Sequence, residues 1–143
     1  TMTIAAILGN KGRDVVSVGP THTVAEAISL LAAHRIGAVP VLESGKVVGV
    51  FSERDVIAGL ASGDTAALRR AVSEVMTAPA VTVDPSDSVL GALSLMTRRR
   101  IRHLPVVQDG RVIGIVSIGD LVKYRIERIE ADAAAMRDYI QQA

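Results

Sequence analysis

The chain holds 143 residues, 49% apolar and 22% charged, a balance that builds a packed globule and excludes a disordered segment. Sixteen lysines and arginines against fifteen aspartates and glutamates leave a net charge of +1, which argues against a dedicated nucleic-acid or membrane-surface protein. Cysteine is absent, which removes disulfides and thiolate chemistry, and three aromatics (Phe51, Tyr124, Tyr139) are too few for a base-stacking platform.

Lys11 and Arg13 come first, two cations just ahead of an extended segment at 16–18 and within chain reach of an anionic ligand. A turn at Pro20 follows, then a helix whose start is marked by Thr23 and Glu26, the Thr-x-x-Glu pattern of a capping box. Val24, Ala27, Ile28 and Leu31 form its apolar face. Apolar runs at 39–42 and 46–51 flank Glu43-Ser44-Gly45 and predict a β-hairpin, with glycine supplying the positive φ of the turn. A second helix is expected near Asp55. Gly63-Asp64-Thr65 then breaks the chain, and 66–76 reads as one short connecting helix. The pattern restarts: an extended 81–83, a turn at Pro85, a Ser88 cap, an apolar face of Val89, Ala92, Leu93 and Met96, a hairpin over 104–107 and 111–116, and a helix from Asp120.

That last helix runs to the end without Pro or Gly. Val122, Ile126, Ile129, Ala133, Met136 and Ile140 fall at steps of 4, 3, 4, 3 and 4, a heptad-like seam with charged flanks. Two destinations stay open for it: a face of its own domain, or a partner helix in a dimer.

The restart is a duplication. Offset by 65 positions, residues 16–57 align with 81–122 without a gap, and sixteen of the 42 pairs are identical. Chance in this composition gives roughly 3 or 4. Each β-α-β-β-α unit is too small to bury its sheet alone, so two copies are expected to meet face to face over one shared core. The expected fold is α+β and sandwich-like, a pseudo-twofold pair with a long C-terminal helix. The boundaries are repeat 1 at 3–60, connector at 61–77, repeat 2 at 78–125 and helical extension at 126–143.

These residues resemble a known family. Ile36-Gly37-Ala38-Val39-Pro40-Val41 with Gly49-Val50-Phe51-Ser52-Glu53-Arg54-Asp55, and Ile101-Arg102-His103-Leu104-Pro105-Val106 with Gly114-Ile115-Val116-Ser117-Ile118-Gly119-Asp120, are similar to the paired motifs of CBS domains, the Bateman module. The small stand-alone pairs of bacteria and mitochondria are the closest in character. The resemblance implies two clefts, each joining the Ser/Asp of one repeat to the leading strand and Ile-x-x-x-Pro segment of the other. One cleft would hold Ser117 and Asp120 with Val16, Ser17, Gly37, Ala38 and Pro40. The other would hold Ser52, Arg54 and Asp55 with Thr82, Arg102, His103 and Pro105.

The residue chemistry agrees with such a role. A carboxylate at a strand-to-helix junction accepts two hydrogen bonds and so suits the paired hydroxyls of a ribose, while the helix N-terminus favours an anion. Gly49 and Gly114, three residues before each serine, would let a flat ring approach the backbone. The same Ser and Asp also serve as ordinary helix caps, and the two roles are compatible. Arg102 and His103 replace Gly37 and Ala38 in the second cleft, which should therefore prefer a phosphate-bearing ligand. Arg54, Arg99 and Arg100 reinforce that field. Arg98 reads as a solvated helix end, and His22 and His34 as surface residues.

The implied function is a regulatory sensor of adenosine-containing ligands (AMP, ADP, ATP or NAD(H)) that signals to an unidentified protein. It would assemble as a homodimer through its CBS-pair faces and its C-terminal helix. The competing reading is an oligomerising or nucleic-acid-binding adaptor with vestigial clefts, supported by the arginines at 98–102. No triad, metal spacing or phosphate loop points to an enzyme or a catalytic cofactor. With no apolar run near about eighteen residues and no leader pattern, a cytoplasmic chain with no membrane partner is expected.

Overall fold

The computed structural model describes residues 2–11 and 15–142, with the side chains of 10 and 11 left undescribed. Arg13 and the Lys11 side chain, singled out above as cations near an anion site, lie outside it. Among the described residues six helices and four strands follow in order: α1 (Ile4–Lys11), α2 (Val24–His34), β1 (Ala38–Glu43), β2 (Lys46–Ser52), α3 (Glu53–Ala61), α4 (Val72–Val75), α5 (Val89–Arg99), β3 (His103–Gln108), β4 (Arg111–Ser117) and α6 (Ile118–Gln142).

Local chemistry sets the repeated elements. The Thr23 hydroxyl accepts the Glu26 amide at 3.1 Å while the Glu26 carboxylate accepts the Thr23 amide, closing the capping box that starts α2. Ser88 caps α5 through the Gly91 amide at 2.9 Å. Arg35 and Arg100 end the two helices in the left-handed conformation. Both hairpins close over two residues rather than three, and both loop residues have positive φ: Ser44 and Gly45, Asp109 and Gly110. That is the two-residue turn whose twist matches paired strands. The expected leading strands shrink to single parallel bridges, Val18 to Val41 and Val83 to Val106.

The core departs from the shared one expected. Two separate clusters form, one around Val24, Ala27, Leu31, Val41 and Phe51, the other around Val89, Met96, Leu104, Val116 and Leu121. The reason is an exchange of short helices. Helix α1 precedes the first repeat but buries Ile4, Ile7 and Leu8 in the second repeat's cluster, and α4 precedes the second repeat but buries Val72 in the first. The hydrogen bonds match one for one. Ile4 and Ala5 donate to the Asp87 and Pro85 carbonyls, while Val72 and Ser73 donate to His22 and Pro20. Each sheet is thus covered without the other, and the repeats meet with β2 beside β4.

The same exchange breaks the connecting helix expected over 66–76. Arg70 and Ala71 are extended, because the Arg70 carbonyl accepts the Val24 amide and Ala71 bridges Thr23. A short 3-10 turn at Ala67–Arg69 and the single turn of α4 are what remain.

Gly49 and Gly114 are also reassigned. A β-carbon at Gly49 would stand 2.6 Å from Met76 Sδ and 2.9 Å from the Thr77 carbonyl oxygen, and one at Gly114 would stand 2.6 Å from Leu8 Cδ2. The missing side chain admits the exchanged segment of the protein itself, not a ligand ring. We expect Gly49→Ala to destabilise by about 1–3 kcal/mol in urea unfolding, and Gly114→Ala by less. The Leu8 side chain can turn aside, whereas the Thr77 carbonyl is fixed by the Val50 amide at 3.0 Å.

Candidate functional site

Both Ser-x-x-Asp junctions are built as helix caps. The Ser52 amide donates to Asp55 Oδ2 at 2.9 Å and the Ser52 hydroxyl donates to the same oxygen at 3.3 Å. The Ser117 amide donates to Asp120 Oδ2 at 2.8 Å, and the Asp120 amide donates to Ser117 Oγ at 3.1 Å. All four residues are half-buried. Thr77 adds a bond to Asp55 Oδ1 at 3.2 Å.

A cavity of about 360 Å³ opens beside the first junction and draws its walls from both repeats. Small-molecule sites begin at roughly 300 Å³. Ser52, Glu53, Arg54 and Ile57 enter from the end of β2 and the first turns of α3, while Ile101, Arg102 and His103 enter from the approach to β3. Gly37 and Val50 complete the first repeat's wall, and the connector supplies Thr77 and residues 79–81. Arg54 joins the halves directly: its Nη1 donates to the Arg100 carbonyl at 2.7 Å, at the C-terminal end of α5, where a cation is favoured. One of its N–H groups is thereby used, which leaves the exposed Arg102 as the freer cation. Two arginines against Glu53 give the mouth a positive balance.

Several expected neighbours are placed otherwise. Gly37, assigned to the Ser117 cleft, lies in the Ser52 cavity instead; a β-carbon added there would be 3.4 Å from both the His103 ring and the Glu53 carboxylate. The Glu53 amide donating to the Gly37 carbonyl at 3.0 Å holds it there, as the Ile118 amide holds Arg102 at 2.8 Å in the other repeat. Asp55 does not line the cavity but stands behind Thr77, one hydrogen bond from it. Thr82 is exposed and off the wall, whereas its neighbour Val81 lines it. Ala38, Pro40 and Pro105 are buried and offer no side-chain surface to a ligand. The two proline carbonyls are taken by the Val18 and Val83 amides. Val16, Ser17, Ser117 and Asp120 are half-buried and lie outside this cavity.

Glu53, Ile57 and Thr77 were not expected in the wall, and Val81 represents the expected leading segment there in place of Thr82. Ile57 follows Glu53 by four residues on one helix face, a signal present in the sequence. The run 77–80 carries no periodicity, and nothing local places it. Among the described residues no group of three or more His, Asp or Glu side chains is arranged to hold a metal, and no helix is long and apolar enough to cross a membrane.

Two repeats that exchange helices and share the walls of one cavity define a tandem-repeat class of fold. Residues 11–62 and 72–127 each match the CBS domain, and the chain belongs to that family. It is similar to the crystal structure of a CBS-domain-containing protein from Agrobacterium tumefaciens, with 42% identity and a TM-score of 0.83 over 87% of this chain and 99% of that one. It is also similar to a CBS domain protein from Pyrobaculum aerophilum complexed with AMP (29% identity, TM-score 0.74, 83% and 89% covered). A third likeness is the CBS domain pair of protein MJ0100 in complex with 5-methylthioadenosine and S-adenosyl-L-methionine (25% identity, TM-score 0.79, 89% and 98% covered).

Proposed function

We propose that the chain is a regulatory ligand-sensing module that takes an adenosine-containing small molecule into the cavity between its repeats and signals occupancy to another protein. One observation carries the reading: the cavity is walled by both repeats, so a ligand filling it bridges them and favours the arrangement in which they close. The ligands of the two structural neighbours share an adenosine moiety, which supports that ligand class. Arg54, Arg102 and His103 favour a phosphate-bearing member such as AMP, ADP, ATP or NAD(H), and Ser52 in the wall suits a ribose hydroxyl, while Asp55 would reach the ribose only by giving up its bond from Thr77. Ser117 and Asp120 with Val16 and Ser17 make a second, weaker position. The module is a binding protein without catalysis of its own, and it acts as a homodimer.

Isothermal titration and thermal unfolding of the full chain with AMP, ADP, ATP, NAD(H) and S-adenosylmethionine test this. Saturable binding by at least one is expected, with about 2.7 kcal/mol of added stability at a hundredfold excess over Kd. No heat and no thermal shift with any of the five would remove the reading. The exposed Arg98, Arg99, Arg100 and Arg102 favour the adaptor alternative. It would take over if binding of RNA or DNA fell steeply with salt while nucleotides had no effect.

A further inference from the structure

Helix α6 outlasts the domain that starts it. Leu121 is buried and Tyr124 and Arg125 are half-buried, but Ile126, Ile129, Met136 and Ile140 are 49%, 50%, 59% and 65% exposed. The stretch 126–142 rises about 25 Å with no domain beneath it. A helix of this length is marginal alone in water, and its apolar stripe asks for cover.

The stripe specifies what covers it. In a two-stranded coil Ile126, Ala133 and Ile140 take one core position, and Val122, Ile129 and Met136 take the other. Arg125 and Asp132 flank it on one side, Glu130 and Arg137 on the other. In a parallel, in-register pair each flanking residue meets the one five positions on in the partner: Arg125 with Glu130, Asp132 with Arg137. Every such contact is attractive. In a fully overlapped antiparallel pair Lys123 would face Arg137, Glu130 would face Glu130 and Asp132 would face Asp132, all repulsive, and Arg125 would face the uncharged Tyr139.

We propose that the distal half of α6 forms a parallel, in-register coiled coil with α6 of a second copy of this chain, selected by the Arg125–Glu130 and Asp132–Arg137 pairs. The proposal rests on the homodimer in the reading above and on nothing about its ligand.

Sedimentation equilibrium of the full chain and of two variants tests it. Arg137→Glu sets an acid against the partner's Asp132 and is expected to weaken self-association about three- to tenfold; in the antiparallel pair it would instead face Lys123 and strengthen it. Asp132→Lys/Arg137→Glu is expected to restore the parent affinity. The chain has no cysteine, so Ile126→Cys supplies a single thiol. Mild oxidation should link it to its counterpart, because paired core positions lie about 6 Å apart, within disulfide reach. An antiparallel coil would hold the two thiols about 15 Å apart along the axis. A monomer at all concentrations overturns the homodimer and this inference together. A dimer that does not cross-link through Cys at 126, or that Arg137→Glu strengthens, overturns the parallel seam alone, and nucleotide titration of the same variants is read independently of both outcomes.

Discussion

Ile4→Ala is expected to lower the unfolding free energy by about 2–5 kcal/mol, the cost of opening a cavity in a core that cannot collapse to fill it. The size of this effect follows from the helix exchange. Ile4 lies far in sequence from the second repeat, yet it is 0% exposed within that repeat's cluster, beside Ile7 and Leu8. Its amide also donates to the Asp87 carbonyl at 2.9 Å, which pins the turn ahead of α5. An extension lying loosely on the surface would give a change within about 0.5 kcal/mol, the range of ordinary surface substitutions. Ile57→Ala provides that control, since Ile57 is 66% exposed. Urea unfolding of both variants measures the difference, and equal midpoints would show that α1 does not contribute to the second core.

Arg102→Ala is expected to weaken binding of AMP or ATP by about 1.5–3 kcal/mol, the contribution of a hydrogen bond to a charged group, or roughly ten- to 150-fold in Kd. Unmodified adenosine should lose little, because the guanidinium addresses the phosphate. The folded state should change by no more than about 0.5 kcal/mol, since the side chain is exposed and the one structural bond at this position, from the Ile118 amide, reaches the backbone carbonyl. Arg54→Ala should behave differently. It removes the clip to the Arg100 carbonyl along with a cation at the cavity, so both stability and affinity should fall. Titration calorimetry with AMP and adenosine side by side separates the cases. An equal loss for both ligands would place Arg102 away from the phosphate.

Much of the architecture was legible because its causes are local. Helical and hairpin periodicities, the Thr23–Glu26 box, Ser88 and the glycine turns act over a few residues, and duplication made each signal readable twice. The helix exchange was not legible. Helix α1 is eight residues long, has no acidic residue in its first turn and gains its stability from residues some eighty positions away. The connecting helix failed for a related reason, since Arg70 and Ala71 direct their backbone groups to the first repeat rather than along their own axis. At the cavity, the junction residues Ser52 and Arg54 and the paired Arg102 and His103 were in view from the motif. Gly37 crossed to the other cleft, and Ala38, Pro40 and Pro105 proved buried. A strand's alternation tells which side chains share a face, but not which face the second repeat will cover.

Helix α6 begins at the Ser117–Asp120 cap and continues for 25 residues without a break, about 37 Å of rigid rod. Its base is anchored in the second repeat's core through Leu121, and its distal apolar residues stand exposed. Geometry alone makes it a lever: a tilt of about 10° at the base moves the tip by about 6 Å. A readjustment small enough to be absorbed by one capping box is thereby large enough at the far end to be felt as a change of distance.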